Sequence, residues 1–144
     1  MRIDGQWYLC DDGLVRPIMR GEIRSGDGSW FKVPFLVDSG ADRTVFSADV
    51  LADLRLLHLT SSYQLSGVGG QVKSVVVNTQ IRMEQDEGSK AVFTGEYAGF
   101  TDPAALDMSV LGRDLLNLFA LVIDRQRDVV CLLGQSHSYR IEKR

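Results

Sequence analysis

Metal-ligating side chains are scarce in this chain. Its 144 residues include two cysteines, Cys10 and Cys131, and two histidines, His58 and His137. No set of these falls at the short spacings of a zinc site, so no metal is expected. His58 lies beside Leu56, Leu57 and Leu59, as a partly buried side chain would, and His137 sits in a polar tail. Neither shows the oriented partner that a histidine base requires. An apolar leader is missing from Met1-Arg-Ile-Asp-Gly-Gln-Trp7, and the two thiols are therefore expected to be free in a cytoplasmic protein. The apolar runs are far too short for a membrane span. There is no basic block interleaved with aromatics, which argues against a nucleic-acid partner.

What remains is an ordinary globular composition. Hydrophobic residues make up 44% and charged residues 24%, with a net charge of -3 spread along the chain. One domain spanning 1–144 is expected, with a core from about 15 to 133 and a polar tail over 135–144. A chain of this length can bury a core without staples. Short β-branched and aromatic segments alternate with turn signals, the pattern of an all-β domain. Val15 to Arg24 and Trp30 to Val37 read as strands flanking the turn Ser25-Gly-Asp-Gly-Ser29. Thr44 to Leu57 holds a short helix, with Ser47 as N-cap and Val50, Leu51, Leu54 and Leu57 at helical spacing. Tyr63 to Leu65, Val72 to Met83, Ala91 to Ala98 and Val110-Leu111 read as further strands. Arg113 to Asn117 suits a helical turn, and Leu118 to Asp124 with Val129 to Leu133 forms a closing hairpin.

Chemistry concentrates in Phe35-Leu-Val-Asp-Ser-Gly-Ala-Asp-Arg-Thr-Val45. Three apolar residues lead straight into Asp38, and an acid at the end of a buried strand is costly unless something satisfies it. Gly40 permits close approach of backbone or ligand, and the Ser39 hydroxyl can lock a loop. Asp-Ser-Gly is also common surface-turn chemistry, so the tetrapeptide alone leaves both readings open. Two later stretches bear on the choice. Leu65-Ser-Gly-Val-Gly-Gly70 is glycine-rich but lacks the Lys-Ser/Thr of a phosphate-binding loop. Val110-Leu-Gly-Arg-Asp-Leu-Leu116 runs from an apolar pair through glycine into a helix start.

Taken in order, these three stretches resemble the active-site loop, the flap tip and the second apolar-apolar-Gly element of the retropepsins, the retroviral-type aspartic proteases. The likeness spans about Val15 to Leu133. The closing hairpin is longer than in compact retroviral enzymes and looks more like cellular and bacterial members. The resemblance implies an all-β, single-lobed acid-protease barrel with one short C-terminal helix. It makes Asp38 the catalytic carboxylate on the loop Ser39, Gly40 and Ala41. It gives substrate binding to Gly40, Asp42, Val68 and Gly69, and structural support to Gly112 and Arg113, with Arg113 paired to Asp42 or near it. Val45, Val75, Val110 and Leu111 are candidates to line apolar pockets. The chain departs from the retroviral pattern at Arg43, where a short or acidic residue is more usual, and at Ser39, where threonine is common.

Peptide hydrolysis by this route needs two carboxylates that share a proton. The chain has one Asp-Ser/Thr-Gly motif, and its other acids lack that context; Asp114 is expected to face away from the cleft. A C2 homodimer acting on a peptide or protein substrate, with no cofactor, is the economical solution. The closing hairpin is the candidate interface, unless it only closes the monomer's own core. The alternative function is a retropepsin-like dimerisation or peptide-binding module without activity.

Overall fold

A long hairpin organises the molecule. In the computed structural model, strand β3 (Val15–Arg24) pairs antiparallel with β4 (Trp30–Val37), with Ile18 opposite Leu36 and Arg24 opposite Trp30. Val33, Phe35 and Val37 are buried at every second position of β4, the period of a strand with one face on a core. The structure describes residues 1–67, 70–134 and 140–143, of which 58–67 and 70–72 by backbone alone. Val68 and Gly69, expected at the flap tip, lie outside the described residues, as does His137.

Beyond β4 come β5 (Val45–Phe46), helix α1 (Ala48–Leu54), β6 (His58–Gly67), β7 (Gly70–Glu84), β8 (Lys90–Phe100) and β9 (Ser109–Leu111). With β2 (Gln6–Leu9) they form one sheet in the order β2-β3-β4-β9-β5-β8-β7-β6. A further pairing, Glu22 with Arg82 and Ile23 with Ile81, joins β3 to β7 and closes the sheet on itself. The enclosed barrel removes most open edges. Its core holds Ile23, Phe35, Phe46, Leu54, Ile81 and Leu111, each fully buried. Phe46 links Phe35 and Tyr97, with ring centroids 6.4 and 5.7 Å away. Burying one such side chain contributes roughly 1.5–3 kcal/mol before entropy is counted.

Helix α1 starts after Ser47, as expected, and ends at Arg55 in the left-handed region, φ 50°. Its last carbonyls meet the β3–β4 turn, where Gly26 N–H donates to Leu54 O at 2.8 Å. A Cβ on Gly26 would sit 2.4 Å from Arg55 O, so this contact requires glycine.

The chain ends form a second, three-stranded sheet. β1 (Arg2–Asp4) pairs with β11 (Val129–Leu133), and β11 pairs with β10 (Ala120–Asp124). Helix α2 (Arg113–Leu116) connects β9 to this sheet. Strands β1 and β2 precede the strand start expected at Val15, and Ile3 is buried in the main core. Val130 and Leu132 are buried in that same core, and Phe119 meets Phe93 edge-on at 5.8 Å. The closing hairpin therefore does cover the monomer's core, while Leu118, Ile123 and Val129 stay exposed. Cys10 and Cys131 are free thiols. No helix among the described residues is long and apolar enough to cross a membrane.

Candidate active site

Asp38 stands where β4 ends, with its neighbours Val37 buried and Ser39 and Gly40 exposed. Strand β9 runs parallel to β4, placing Phe35, Leu36 and Val37 beside Ser109, Val110 and Leu111. The ladder continues one residue further, since Asp38 N–H donates to Leu111 O at 3.2 Å. The turn then folds onto Asp38 itself. Gly40 N–H donates to Asp38 Oδ1 at 2.9 Å and Ala41 N–H to Asp38 O at 3.1 Å. The half-buried carboxylate is thus oriented through one oxygen by its own loop.

The second half of the loop is held by α2. A helix start has N–H groups without intrahelical partners, and here they serve the loop. Arg113 N–H donates to Ala41 O at 2.8 Å and Asp114 N–H to Asp42 O at 3.2 Å. The Arg113 guanidinium also pairs with the Asp42 carboxylate. Gly112 lies directly beneath: a Cβ there would be 2.3 Å from the carbonyl of Arg43 and 2.8 Å from Thr44 N. Any side chain at 112 would displace the loop.

A groove of about 800 Å³ runs along the strands β4 and β9. Its walls include Ile18, Pro34, Leu36, Leu106, Met108 and Val110. Leu36 and Val110 are register partners on β4 and β9, the strand pair that delivers Asp38. Charged residues lie along the edge. Arg16 bonds both oxygens of Asp12, at 2.9 and 2.6 Å, and this holds the Asp12 carboxyl down at about 2. Arg20 rests over the Tyr8 ring, 5.9 Å from its centroid. An open groove with apolar and charged residues in its walls suits an extended peptide.

The structure brings most of the expected residues together. Asp38, Ser39, Gly40 and Ala41 form one tight loop, and the expected pairing of Asp42 with Arg113 is present. Val110 lines the groove, whereas Val45, Val75 and Leu111 are buried in the core. Two residues were not expected. Thr44 is fully buried, and its Oγ1 donates to Asp114 Oδ1 at 2.7 Å while accepting Gly112 N–H at 3.1 Å. The Asp114 carboxylate is turned under the loop, where it also accepts Thr44 N–H at 2.9 Å. The one local signal was a hydroxyl directly before the buried pair Val45 and Phe46, since a polar group in such a stretch needs a partner.

Known structures share this architecture. The EIAV protease complexed with the inhibitor HBY-793 aligns over 71% of this chain and 86% of its own, at 21% identity and a TM-score of 0.52. A retropepsin-like aspartic protease from Rickettsia conorii aligns over 92% of this chain and 88% of its own, at 20% identity and a TM-score of 0.55. At these identities the likeness is one of fold, and the fold is retropepsin-like. No curated protein matches the chain in sequence. The family model described as "Aspartyl protease" matches residues 23–137, which takes in the Asp38 loop, α2 and the closing hairpin, and the chain belongs to that family.

Proposed function

We propose that the chain is an aspartic endopeptidase that works as a homodimer, with Asp38 of each subunit forming the catalytic pair. The observation that carries this reading is the half-buried Asp38 on a braced loop at the end of β4, the strand whose Leu36 lines the open groove. In the dimer the two carboxylates share one proton, because like charges about 3 Å apart do not both ionise. The ionised member takes a proton from a water as it attacks the scissile carbonyl carbon. The protonated member gives its proton to the carbonyl oxygen, and the pair titrates as a unit. The carboxyl that took the water's proton then gives it to the leaving nitrogen, and collapse of the tetrahedral intermediate breaks the C–N bond and releases the amine.

Roles for the neighbours are those that the resemblance to retropepsins implies. Ser39, exposed at the loop tip, reaches across to the partner loop. Gly40 offers its carbonyl to the peptide, and Asp42 binds substrate backbone while Arg113 holds it in place. Val68 and Gly69 close over the substrate as a flap, which admits a chain and then excludes water. The exposed Leu118, Ile123 and Val129 of the closing hairpin supply apolar surface for the subunit contact.

The decisive experiment is a peptide-library digest with wild type and Asp38→Asn, together with sedimentation of both. Cleavage by a wild-type dimer, lost in a folded Asp38→Asn dimer, is the expected result. Cleavage retained in Asp38→Asn sinks the catalytic assignment. A well-folded dimer that binds peptides and cleaves none is instead a binding module.

A further inference from the structure

Asp38 is held by a ring of contacts, and the ring has one weak point. Starting at Asp38, the backbone bond to Leu111 O leads to Gly112, whose N–H reaches Thr44 Oγ1. Thr44 passes to the Asp114 carboxylate through its hydroxyl and its N–H. Asp114 N–H returns to Asp42 O, four residues after Asp38. The loop and α2 are also joined backbone to backbone, Arg113 N–H to Ala41 O and Asp114 N–H to Asp42 O, and by the pair of Arg113 and Asp42. That pair is solvent-exposed, with 48% and 82% of the side chains accessible, and exposed pairs contribute little. The less exposed side-chain link is Thr44 with Asp114, in which Thr44 is fully buried while Asp114 lies at the surface.

Its chemistry is well matched. Asp114 Oδ1 accepts three donors, from Thr44 N at 2.9 Å, Thr44 Oγ1 at 2.7 Å and Leu115 N at 2.9 Å. An ionised carboxylate is acceptor-only and suits such a site, and its charge strengthens each bond. The Thr44 hydroxyl spends its one proton on Asp114 and a lone pair on Gly112 N–H. No other side chain with a hydroxyl and threonine's volume can do both.

We propose that Thr44 and Asp114 are positioning residues of the active site, a part-buried latch that sets where the loop holds Asp38. This rests on the protease reading above, although the latch touches neither the Asp38 carboxylate nor the groove. It acts through the loop, and the pairing of two Asp38 side chains across a dimer makes small loop displacements costly.

The test uses the homodimer of the 144-residue chain. Thr44→Val keeps the shape and removes the hydroxyl; Thr44→Ser keeps the hydroxyl and loses a methyl group. Thr44→Val is expected to lower kcat roughly tenfold to a hundredfold with KM nearly unchanged, as misplacement of a reacting group does. Thr44→Ser should stay within about threefold of wild type, since it restores the hydrogen bonds. Equal loss in both variants, or loss only in thermal stability, overturns the proposal. Carboxyl 13C titration of Asp38 gives a readout that needs no turnover. Its profile should move in Thr44→Val and return in Thr44→Ser; an Asp38 profile identical in all three proteins overturns the latch. If the wild type cleaves nothing, the protease reading fails and this titration still decides the latch. Should Thr44→Val not fold, Asp114→Asn, which keeps an acceptor oxygen but not the charge, is expected to move the Asp38 titration in the same direction by less. An unmoved profile there counts against the proposal as well.

Discussion

The β3–β4 hairpin carries an aspartate in a turn at each end, and the two are built oppositely. At the tip, Asp27 in Asp-Gly-Ser takes three donors on one oxygen, all from its own turn. They are the Ser25 hydroxyl, the Ser29 hydroxyl at 2.6 Å and Ser29 N–H at 2.9 Å. These bonds, the Ser25 hydroxyl first, hold the Asp27 carboxyl well below its ordinary value of 3.8. At the base, Asp38 in Asp-Ser-Gly takes Gly40 N–H. The bracing there goes to the backbone around Asp38, from residues some seventy positions away. One turn spends its carboxylate on holding itself together. The other has its backbone held by α2 and β9, so the carboxylate remains available for chemistry.

The sharpest way to break this contrast is to neutralise each acid in turn. Asp38→Asn should lower peptide cleavage about 10²–10⁴-fold, the range of a lost acid–base group, while Asp27→Asn leaves kcat unchanged. Equal losses would erase the distinction. Next in size is the floor of the braced loop. Gly112→Ala should cost about 3 kcal/mol in urea unfolding, because the new methyl meets backbone that cannot yield without moving the loop. Urea unfolding indistinguishable from wild type would show the loop to be less fixed than described.

A smaller effect tests the self-sufficient turn. The folded-state pKa of Asp27 is depressed, so its contribution to stability is present above its unfolded pKa and is lost as pH falls through the folded value. Asp27→Asn should therefore lower the thermal midpoint at pH 7, and the gap to wild type should close as the solution is acidified below about 3.8. A gap that is constant with pH would assign the loss to shape and not to charge. The smallest effect concerns the region near Asp114. Burial, with the Asp114 charge adding to it, pushes the Tyr97 phenol up from 10.0 to about 12. A raised folded pKa gives stability that is complete below the unfolded pKa and lost as pH rises through the folded one. Wild type should lose stability between these values in alkaline melts, a decline that Tyr97→Phe lacks. That variant also gives up the hydroxyl's bond to Phe93 O.

The fold was legible where local pattern decides structure. Val15–Arg24, Trp30–Val37 and Val129–Leu133 coincide with the strands read from alternation and turn signals. Strands β1 and β2 were not legible. Arg2–Asp4 has one buried side chain, Ile3, and its strand state comes from pairing with Cys131, Leu132 and Leu133 at the far end of the chain. The site divides in the same way. Asp38 and its loop, Gly112 and Arg113 are carried by motifs. Thr44 and Asp114 are carried by a contact across 70 positions, which no spacing rule reaches. Asp27 and Asp38 differ both nearby, where Ser25 and Ser29 bond only Asp27, and at a distance, where Leu111 holds the backbone of Asp38.

The parallel pairing of β4 with β9 has a consequence in time. During synthesis Asp38 leaves the ribosome long before Leu111, Gly112 and Asp114, and at about 5–20 residues per second the gap lasts several seconds. Through that interval the aspartate has its strand but neither its brace nor its neighbours on α2. A nascent chain therefore carries Asp38 unbraced, and its loop is fixed only when Leu111 to Asp114 have been made.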